Sequence, residues 1–572
     1  MRAMLASSPP VSPWLRALLV GAAAFLLFAR LGELDASAPD EPRYLQISEE
    51  VRALDQGPSG LVLLHLNEEP YTQKPPLYYW LAAAVGAMQG RVTELAGRIP
   101  SAASGVLLVW LTLSLGSRLL GGRAGIVGAA LLLTTYEFAR LARRVQLDPL
   151  LALLEALALA AFWRLDRGMG GRATNAAVFH AALGLAVLTK GPVGFLIPVL
   201  IVVAYLAWEG RLRDIGRAFP WWGPLLSVAP GIAWIAAATA FAPAGFADAA
   251  LRENLLGRLG EGAPHDNPIY YYVYQLPLDF LPWTLLFPVA GIGAFKTLRD
   301  SATSPELKRA WRFLLAIVGA SFVFFSLSSG KRGLYLLPAF PAVALLCAGG
   351  LERWLAGRAR APKRLAFFAI AIGLLFALLG ALALQLGSGA PLPGLFKNDW
   401  LGRWVGPRDL ASVDLGLLRA FGLTLFGAIV AAVVAWIALQ RARSSALRFV
   451  FVPIGLAYGA LFATFALLFP AIDPLRSVRP LAEAAAARTP AGQAIGLYDE
   501  HNLVGGLAYY ASREHPILEL ATPADVQAFF RSGGRVVVAR ERKLEGVALG
   551  EVVERFRSGE RQVVLIAPSG GR

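Results

Sequence analysis

The sequence predicts an all-α polytopic membrane protein that ends in a small α/β unit. Three observations carry this expectation: apolar runs long enough to cross a bilayer recur up to Pro470, basic clusters alternate between them, and short alternating strings replace them afterwards. Of the 572 residues 56% are hydrophobic and 16% charged, so apolar segments outweigh any soluble core. The formal charge of +15 is spread in short clusters between apolar runs and forms no single patch or tail, which argues against nucleic acid as a partner. A lone Cys347 excludes a disulfide framework and a cysteine-based metal cluster.

A spanning helix needs about 20 mostly apolar residues, and about fourteen segments qualify as candidates. The first, Pro13 to Leu31, follows Arg2 without a convincing cleavage site and reads as a retained anchor with a cytoplasmic N-terminus. The segment Pro76 to Gly90 is short and begins after Pro75, so it reads as re-entrant or interfacial. If it does not cross, residues 35–97 form one outside loop, and every later loop acquires a side. The cytoplasmic loops then hold Arg118 and Arg123; Arg164, Arg167 and Arg172; Arg211, Arg213 and Arg217; Lys296 to Arg312; Arg353 to Arg364; and Arg441 to Arg448. That is a positive-inside pattern, and it predicts about thirteen spans with the C-terminus outside.

Past Pro470, apolar strings at Ala494–Tyr498, Pro516–Leu520, Arg535–Ala539 and Gln562–Ile566 predict strands, with helices at Leu475–Ala487 and Pro523–Phe530. The expected division is a membrane unit over 1–470, with outside loops at 35–97 and 243–277, and an outside α/β unit over 471–572. Asp499, Glu500 and His501 follow a strand end, and a solvated loop is the favoured reading there.

The polar residues on the outside surface carry the chemistry. Asp40-Glu41-Pro42-Arg43-Tyr44 opens a predicted amphipathic helix running to about Leu54, in which Asp40 is expected as N-cap and Asp40, Arg43 and Tyr44 share a face. Tyr71 to Trp80 sets Lys74 before two prolines at headgroup depth, where an ammonium suits a lipid phosphate or merely anchors the helix. Arg140, Arg143, Arg144 and Asp148, and again Lys331, Arg332 and Tyr335, place cations on the side where the charge rule wants few. Lys190 in Thr189-Lys190-Gly191-Pro192 shares this anomaly weakly and reads as a hairpin turn. A loop from Pro243 to Tyr274 holds His265, more readily a structural or phosphate-facing histidine than a metal ligand. No metal site is predicted; a divalent ion is permitted but not indicated. One acid-rich motif surrounded by cations suits transfer of a sugar from a lipid phosphate, because the departing phosphate gains negative charge in the transition state. A carboxylate would take a hydroxyl proton from the acceptor or orient it.

At Asp40-Glu41-Pro42-Arg43-Tyr44 and Lys74-Pro75-Pro76-Leu77-Tyr78-Tyr79-Trp80 the sequence resembles the bacterial lipid A aminoarabinose transferases and, more distantly, the protein O-mannosyltransferases. The resemblance implies a GT-C fold, a polyprenyl (undecaprenyl) phosphate sugar donor, and a glycolipid, glycan or protein acceptor at the outer face of a bacterial inner membrane. It implies Asp40 as the principal catalytic carboxylate, with Glu41 beside it and Arg43 in support. Lys74 and His265 would hold the carrier phosphate, and Asp148 and Tyr335 match as further cavity residues; Tyr44, Tyr71, Arg143, Arg144, Lys331 and Arg332 are expected at the substrate from their own place on the outside surface. The chain departs from the aminoarabinose pattern at Gln73, typically acidic, and at Asp266, typically basic. A transferase acting on proteins or other glycans is the alternative within the class. A lipid-linked sugar flippase, the alternative outside it, would want polar residues through the bilayer midplane and paired repeats.

Overall fold

The computed structural model describes residues 12–37, 39–246, 248, 267–356, 361–388, 413–442, 445–511, 515–545, 547, 549–558 and 561–569. The first helix, α1 (Pro13–Phe28), starts on a proline, whose missing N–H would be unbonded there anyway. Next comes α2 (Asp40–Ala53), which carries Asp40 and Glu41 in its first turn, where the helix dipole favours anions. Asp40 is the first helical residue; Pro39 occupies the cap position and no side chain caps the helix, so the expected capping role of Asp40 is corrected. Leu54, at φ +54°, ends the helix in the left-handed region.

A hairpin, β1 (His65–Leu66) with β2 (Glu69–Pro70), leads into α3 (Leu77–Gln89). With 13 residues, α3 reaches about 20 Å, short of the hydrocarbon thickness, and Gly90 at φ +81° closes it. The membrane part continues through α4 (Glu94–Leu119), α5 (Gly122–Leu133), α6 (Tyr136–Ala142), α7 (Asp148–Asp166), α8 (Arg172–Lys190), α9 (Val193–Trp208) and α10 (Ala229–Phe241). It is completed by α11 (Tyr271–Asp279), α12 (Phe287–Arg299), α13 (Pro305–Leu327), α14 (Phe340–Leu355), α15 (Ala361–Gly387), α16 (Leu415–Arg441) and α17 (Ala446–Ala463). The 66° bend between α5 and α6 falls at Thr134 and Thr135, whose hydroxyls bond back to the carbonyls of Ala130 and Leu131.

Among the described residues, six helices are long and apolar enough to cross a membrane, or eight if each of two bent pairs counts as one crossing. The chain is therefore a multi-pass helical protein. Three further apolar helices, α1, α9 and α10, are shorter. Charge separates α7 from the six: it carries Asp148, Glu155, Arg164 and Asp166.

Ion pairs sort the loops into two sets at opposite ends of the bundle. At the N-terminal end of α7, Lys190 meets Asp148 at 2.5 Å; at its C-terminal end, Arg211 meets Asp166 at 2.7 Å. These ends lie about 27 Å apart at 1.5 Å per residue. The Asp166 set continues through Arg309 and Arg312 on Glu209, at 3.2 and 2.7 Å. Three loops that the charge rule assigned to one side thus touch one another.

After α17 come α18 (Arg479–Ala487), β3 (Ile495–Tyr498), α19 (Val504–Tyr510), β4 (Ile517–Leu520), α20 (Pro523–Arg531), β5 (Val537–Arg540), β6 (Glu551–Ser558) and β7 (Arg561–Ala567). The strands form one sheet in the order β4-β3-β5-β7-β6, parallel across β4-β3-β5 and antiparallel beyond. This region is fastened to the α2 end of the bundle. Tyr510 Oη accepts from the Ala36 N–H at 2.7 Å and donates to Glu94 at 2.9 Å, while Arg479 pairs with Asp35 at 2.9 Å and Glu94 at 2.5 Å. Asp499, Glu500 and His501 are each paired within this region, with Lys543, Arg540 and Glu519.

Candidate active site

The first turn of α2 presents two carboxylates in different directions, and tertiary contacts give them different surroundings. Asp40 meets Arg43, one turn along the same helix, at 3.9 Å and Arg332, 292 residues away, at 3.1 Å. Burial works against its ionisation, but the Arg332 and Arg43 guanidinium charges outweigh this and hold the carboxyl below the ordinary aspartate range. It is an anion at neutral pH. Glu41, 2% exposed, accepts from the backbone N–H groups of Val145 at 2.8 Å and Ser37 at 3.0 Å, and pairs with Arg98 at 3.2 Å and Arg144 at 3.4 Å. Burial opposes its charge, yet Arg98, Arg144 and the two N–H groups bring its pKa down to about 2. Glu41 is thus a clamp joining α2, α4 and the 143–147 segment, with both oxygens occupied by protein.

Arg332 is fixed from its backbone. The Tyr272 hydroxyl donates to the Arg332 carbonyl at 3.0 Å, and the neighbouring Lys331 exchanges hydrogen bonds with Asn267, Nζ to the Asn267 carbonyl at 2.7 Å and Asn267 Nδ2 to the Lys331 carbonyl at 3.1 Å. Lys331 therefore directs its ammonium at main-chain carbonyls, while Arg332 reaches Asp40.

A second acid belongs to the same end of the bundle. Asp148 opens α7, and Gln146 Nε2 donates to its Oδ2 at 2.6 Å while Lys190 Nζ donates to Oδ1 at 2.5 Å. The Lys190 ammonium also lies 4.6 Å from the centre of the Tyr335 ring, a cation–π distance. The Gln146 N–H donates in turn to the Tyr78 hydroxyl at 3.0 Å, and that hydroxyl donates to the Gly97 carbonyl at 2.8 Å. Asp148 is thereby tied to the first turn of α3, which follows Lys74.

Aromatic rings join α2 to the Lys74 segment. Tyr44, one turn beyond Asp40, meets Tyr79 edge-on at 5.7 Å, and Tyr71 meets Tyr79 at 6.3 Å. The Tyr71 hydroxyl reaches Gln73 Oε1 at 3.3 Å, and Lys74 Nζ reaches the Gln73 carbonyl at 3.2 Å. Burial, with the nearby Asp40 charge, pushes the Tyr44 phenol well above its ordinary value, so it is a neutral donor.

The structure thus joins Asp40, Arg43 and Arg332, links Tyr44 through Tyr79 to Tyr71 in the Lys74 segment, and joins Asp148 through Lys190 to Tyr335. Arg143 turns away: its guanidinium donates to the carbonyls of Leu26 at 2.6 Å and Ala29 at 2.8 Å and covers Phe465. Arg144 serves Glu41. His265 and Asp266 lie outside the described residues. Lys190 stands at the turn between α8 and α9, as expected, and also belongs to the cluster; the signal was its positive charge on the wrong side. Among the described residues no three His, Cys, Asp or Glu side chains gather as a metal-holding group.

The model of the dolichyl-phosphate-mannose-protein mannosyltransferase family matches residues 23–244. An undecaprenyl phosphate-alpha-4-amino-4-deoxy-L-arabinose arabinosyl transferase of Pseudomonas fluorescens is 32% identical over 351 residues, 60% of each chain. The corresponding protein of Aeromonas salmonicida is 30% identical over 380 residues, 63% of this chain and 65% of that one. The matches thus span under two thirds of these relatives' length. The structure of ArnT from Cupriavidus metallidurans bound to undecaprenyl phosphate superposes with a TM-score of 0.74 at 21% identity, covering 98% of this chain and 100% of that one. The archaeal oligosaccharyltransferase AglB from Archaeoglobus fulgidus follows with a TM-score of 0.51 at 14% identity, covering 93% of this chain and 69% of that one. The fold is therefore the GT-C fold, and the resemblance carried by the Asp40 and Lys74 motifs recurs in both sequence and structure.

Proposed function

We propose that this protein is a membrane glycosyltransferase that moves a sugar from undecaprenyl phosphate to an acceptor at the periplasmic face of a bacterial inner membrane, with lipid A as the acceptor. The observation that carries this reading is the ionised Asp40 held between Arg43 and Arg332, at the bundle end that also holds Lys74 and the Asp148–Lys190–Tyr335 group. The curated relatives support the donor through their name, and the ArnT structure supports it through its bound undecaprenyl phosphate.

In the proposed reaction the bond between the anomeric carbon and the carrier phosphate oxygen breaks, and a bond from that carbon to an acceptor oxygen forms. The carrier leaves as a phosphate monoester, whose added charge Lys74, Arg43 and Lys190 stabilise more strongly in the transition state than before it. Tyr44 supplies a neutral hydroxyl donor beside them, and Tyr71 a further hydroxyl. When the acceptor oxygen is a hydroxyl, its proton passes to Asp40; when it is already an anion, Asp40 only orients the sugar.

The same reading takes residues 1–470 as a membrane unit of about thirteen spans and 471–572 as a periplasmic α/β domain. The bent pairs, the three shorter apolar helices, α7 and α8 supply the crossings beyond the six long ones, α10 reaching span length with the short helix Gly223–Ser227 directly before it, which α3 lacks. The two sets of loop contacts support this alternation, and the basic clusters support placing the Asp166 set in the cytoplasm.

The test is transfer of label from undecaprenyl-phosphate aminoarabinose to lipid A by the full-length protein in proteoliposomes, with mass spectrometry of the product. Transfer by the wild type and loss of about 100-fold or more in Asp40→Asn are expected. Undiminished turnover in that variant would remove Asp40 from the reaction.

A further inference from the structure

Arg332 has a second neighbourhood. Besides reaching Asp40, it lines a polar cavity of about 370 Å³, within the range of cavities that hold small ligands. The wall comes from α6, α11 and the segment after Lys331, through Glu137, Arg140, Gln275, Asp279, Arg332 and Gly333. Tyr44, Tyr71, Lys74 and Tyr335, which the proposed function places around the donor, do not line it.

Asp279 is the informative wall residue. It is 7% exposed; Gln275 Nε2 donates to its Oδ1 at 2.5 Å, while Oδ2 is buried with no hydrogen-bond partner among the described residues. Glu137 in the same wall is occupied, held by Arg140 through two hydrogen bonds of 2.7 and 2.6 Å, while Arg332 holds Asp40. Buried acceptors are ordinarily bonded, so an exception calls for an absent partner. Gly333 packs directly against this pair, since a Cβ there would stand 2.7 Å from Asp279 Oδ2 and 2.9 Å from Gln275 Nε2. Any side chain at this position would press on both groups.

A carboxyl group beside an amide suits the hydroxyl and amino groups of a sugar ring, and the guanidinium groups of Arg140 and Arg332 suit a phosphate attached to it. The geometry points to this cavity as the acceptor subsite: it holds the phosphorylated sugar headgroup of the acceptor glycolipid, and Asp279 determines specificity by accepting from a hydroxyl or amino group of that sugar. The inference rests on the proposed transferase reading. Direct displacement brings the attacking oxygen to the face of the anomeric carbon opposite the departing phosphate, and a cavity that shares Arg332 with Asp40 but none of the donor tyrosines meets that need.

The experiment compares the full-length wild type with Asp279→Asn and Gly333→Ala in nanodiscs. Two quantities are read: initial transfer rates with undecaprenyl-phosphate aminoarabinose and lipid A varied separately, and equilibrium binding of lipid A by native mass spectrometry. Both variants should raise the lipid A KM about tenfold or more and weaken lipid A binding in proportion, with the donor KM unchanged, because a site built to bond a polar group discriminates through that bond. Asp279→Asn retains the side-chain shape, so its thermal unfolding should match the wild type. Equal lipid A binding in all three proteins, a rise in donor KM alone, or no lipid A binding by the wild type would each overturn the inference. A wild type that binds lipid A and transfers nothing to it would overturn the proposed function instead, and weakened binding in the variants would then still support the cavity.

Discussion

Two adjacent carboxylates on one helix turn meet opposite fates. Asp40 is ionised because Arg332 and Arg43 outweigh its burial, so replacing Arg332 by Gln should raise the Asp40 pKa. Activity that depends on the anion should then fail at a higher pH on the acid side, and the acid limb of the kcat/KM profile should move upward; an unmoved limb would separate Asp40 from that limb. Glu41 acts through stability. Its pKa falls from an ordinary 4.5 to about 2, so its contribution is fully present above the unfolded value and is lost as pH drops toward 2. Glu41→Gln should leave Arg98 and Arg144 facing a neutral group and cost about 3 kcal/mol, the scale of breaking a buried pair. Thermal unfolding in detergent at pH 7 checks this, and the variant should also lose part of the acid sensitivity seen in the wild type.

Between elements, the decisive contact is α19 against α2. Gly505 lies so close to α2 that a Cβ would stand 2.5 Å from the Arg43 Cα, a backbone atom that cannot swing aside. Gly505→Ala should therefore force the two helices apart, destabilise the protein by about 1–3 kcal/mol and lower transfer by displacing Arg43. A melting temperature and activity equal to wild type would show that the C-terminal region does not hold α2 in place. The strand β6 shows the limit of pattern reading at this scale. Its sequence, Glu551-Val552-Val553-Glu554-Arg555-Phe556-Arg557-Ser558, forms the sheet edge and is largely uncovered, so it lacks the apolar string that marked β3, β4, β5 and β7.

At the scale of the whole molecule, orientation is open to direct chemistry. Cys347 is the single cysteine of the chain and is buried, which makes Cys347→Ala a convenient background. Single cysteines at the exposed positions Gln89 and Arg213 should react differently with a membrane-impermeant maleimide on spheroplasts. Gln89→Cys should label at once and Arg213→Cys only after permeabilisation; the reverse order would invert the proposed topology.

The sequence alone determined the helical membrane architecture, because bilayer crossing imposes length and hydropathy that are written locally. It also marked Asp40, Arg43 and Tyr44 as neighbours, since three- and four-residue spacing is a property of any helix. Only the tertiary structure decided which of Asp40 and Glu41 faces the cations of the cluster, because that choice depends on Arg98, Arg144 and Arg332 arriving from other helices. It likewise gave Lys190, at the expected turn between α8 and α9, a partner in Asp148, and turned Arg143 toward α1. Asp279 left one legible trace, a carboxylate in a largely apolar and aromatic string, but its unbonded oxygen emerged only from the packing of Gly333 against it. Local spacing is set by covalent geometry, whereas the partner of a charge is set by where distant segments of the chain meet.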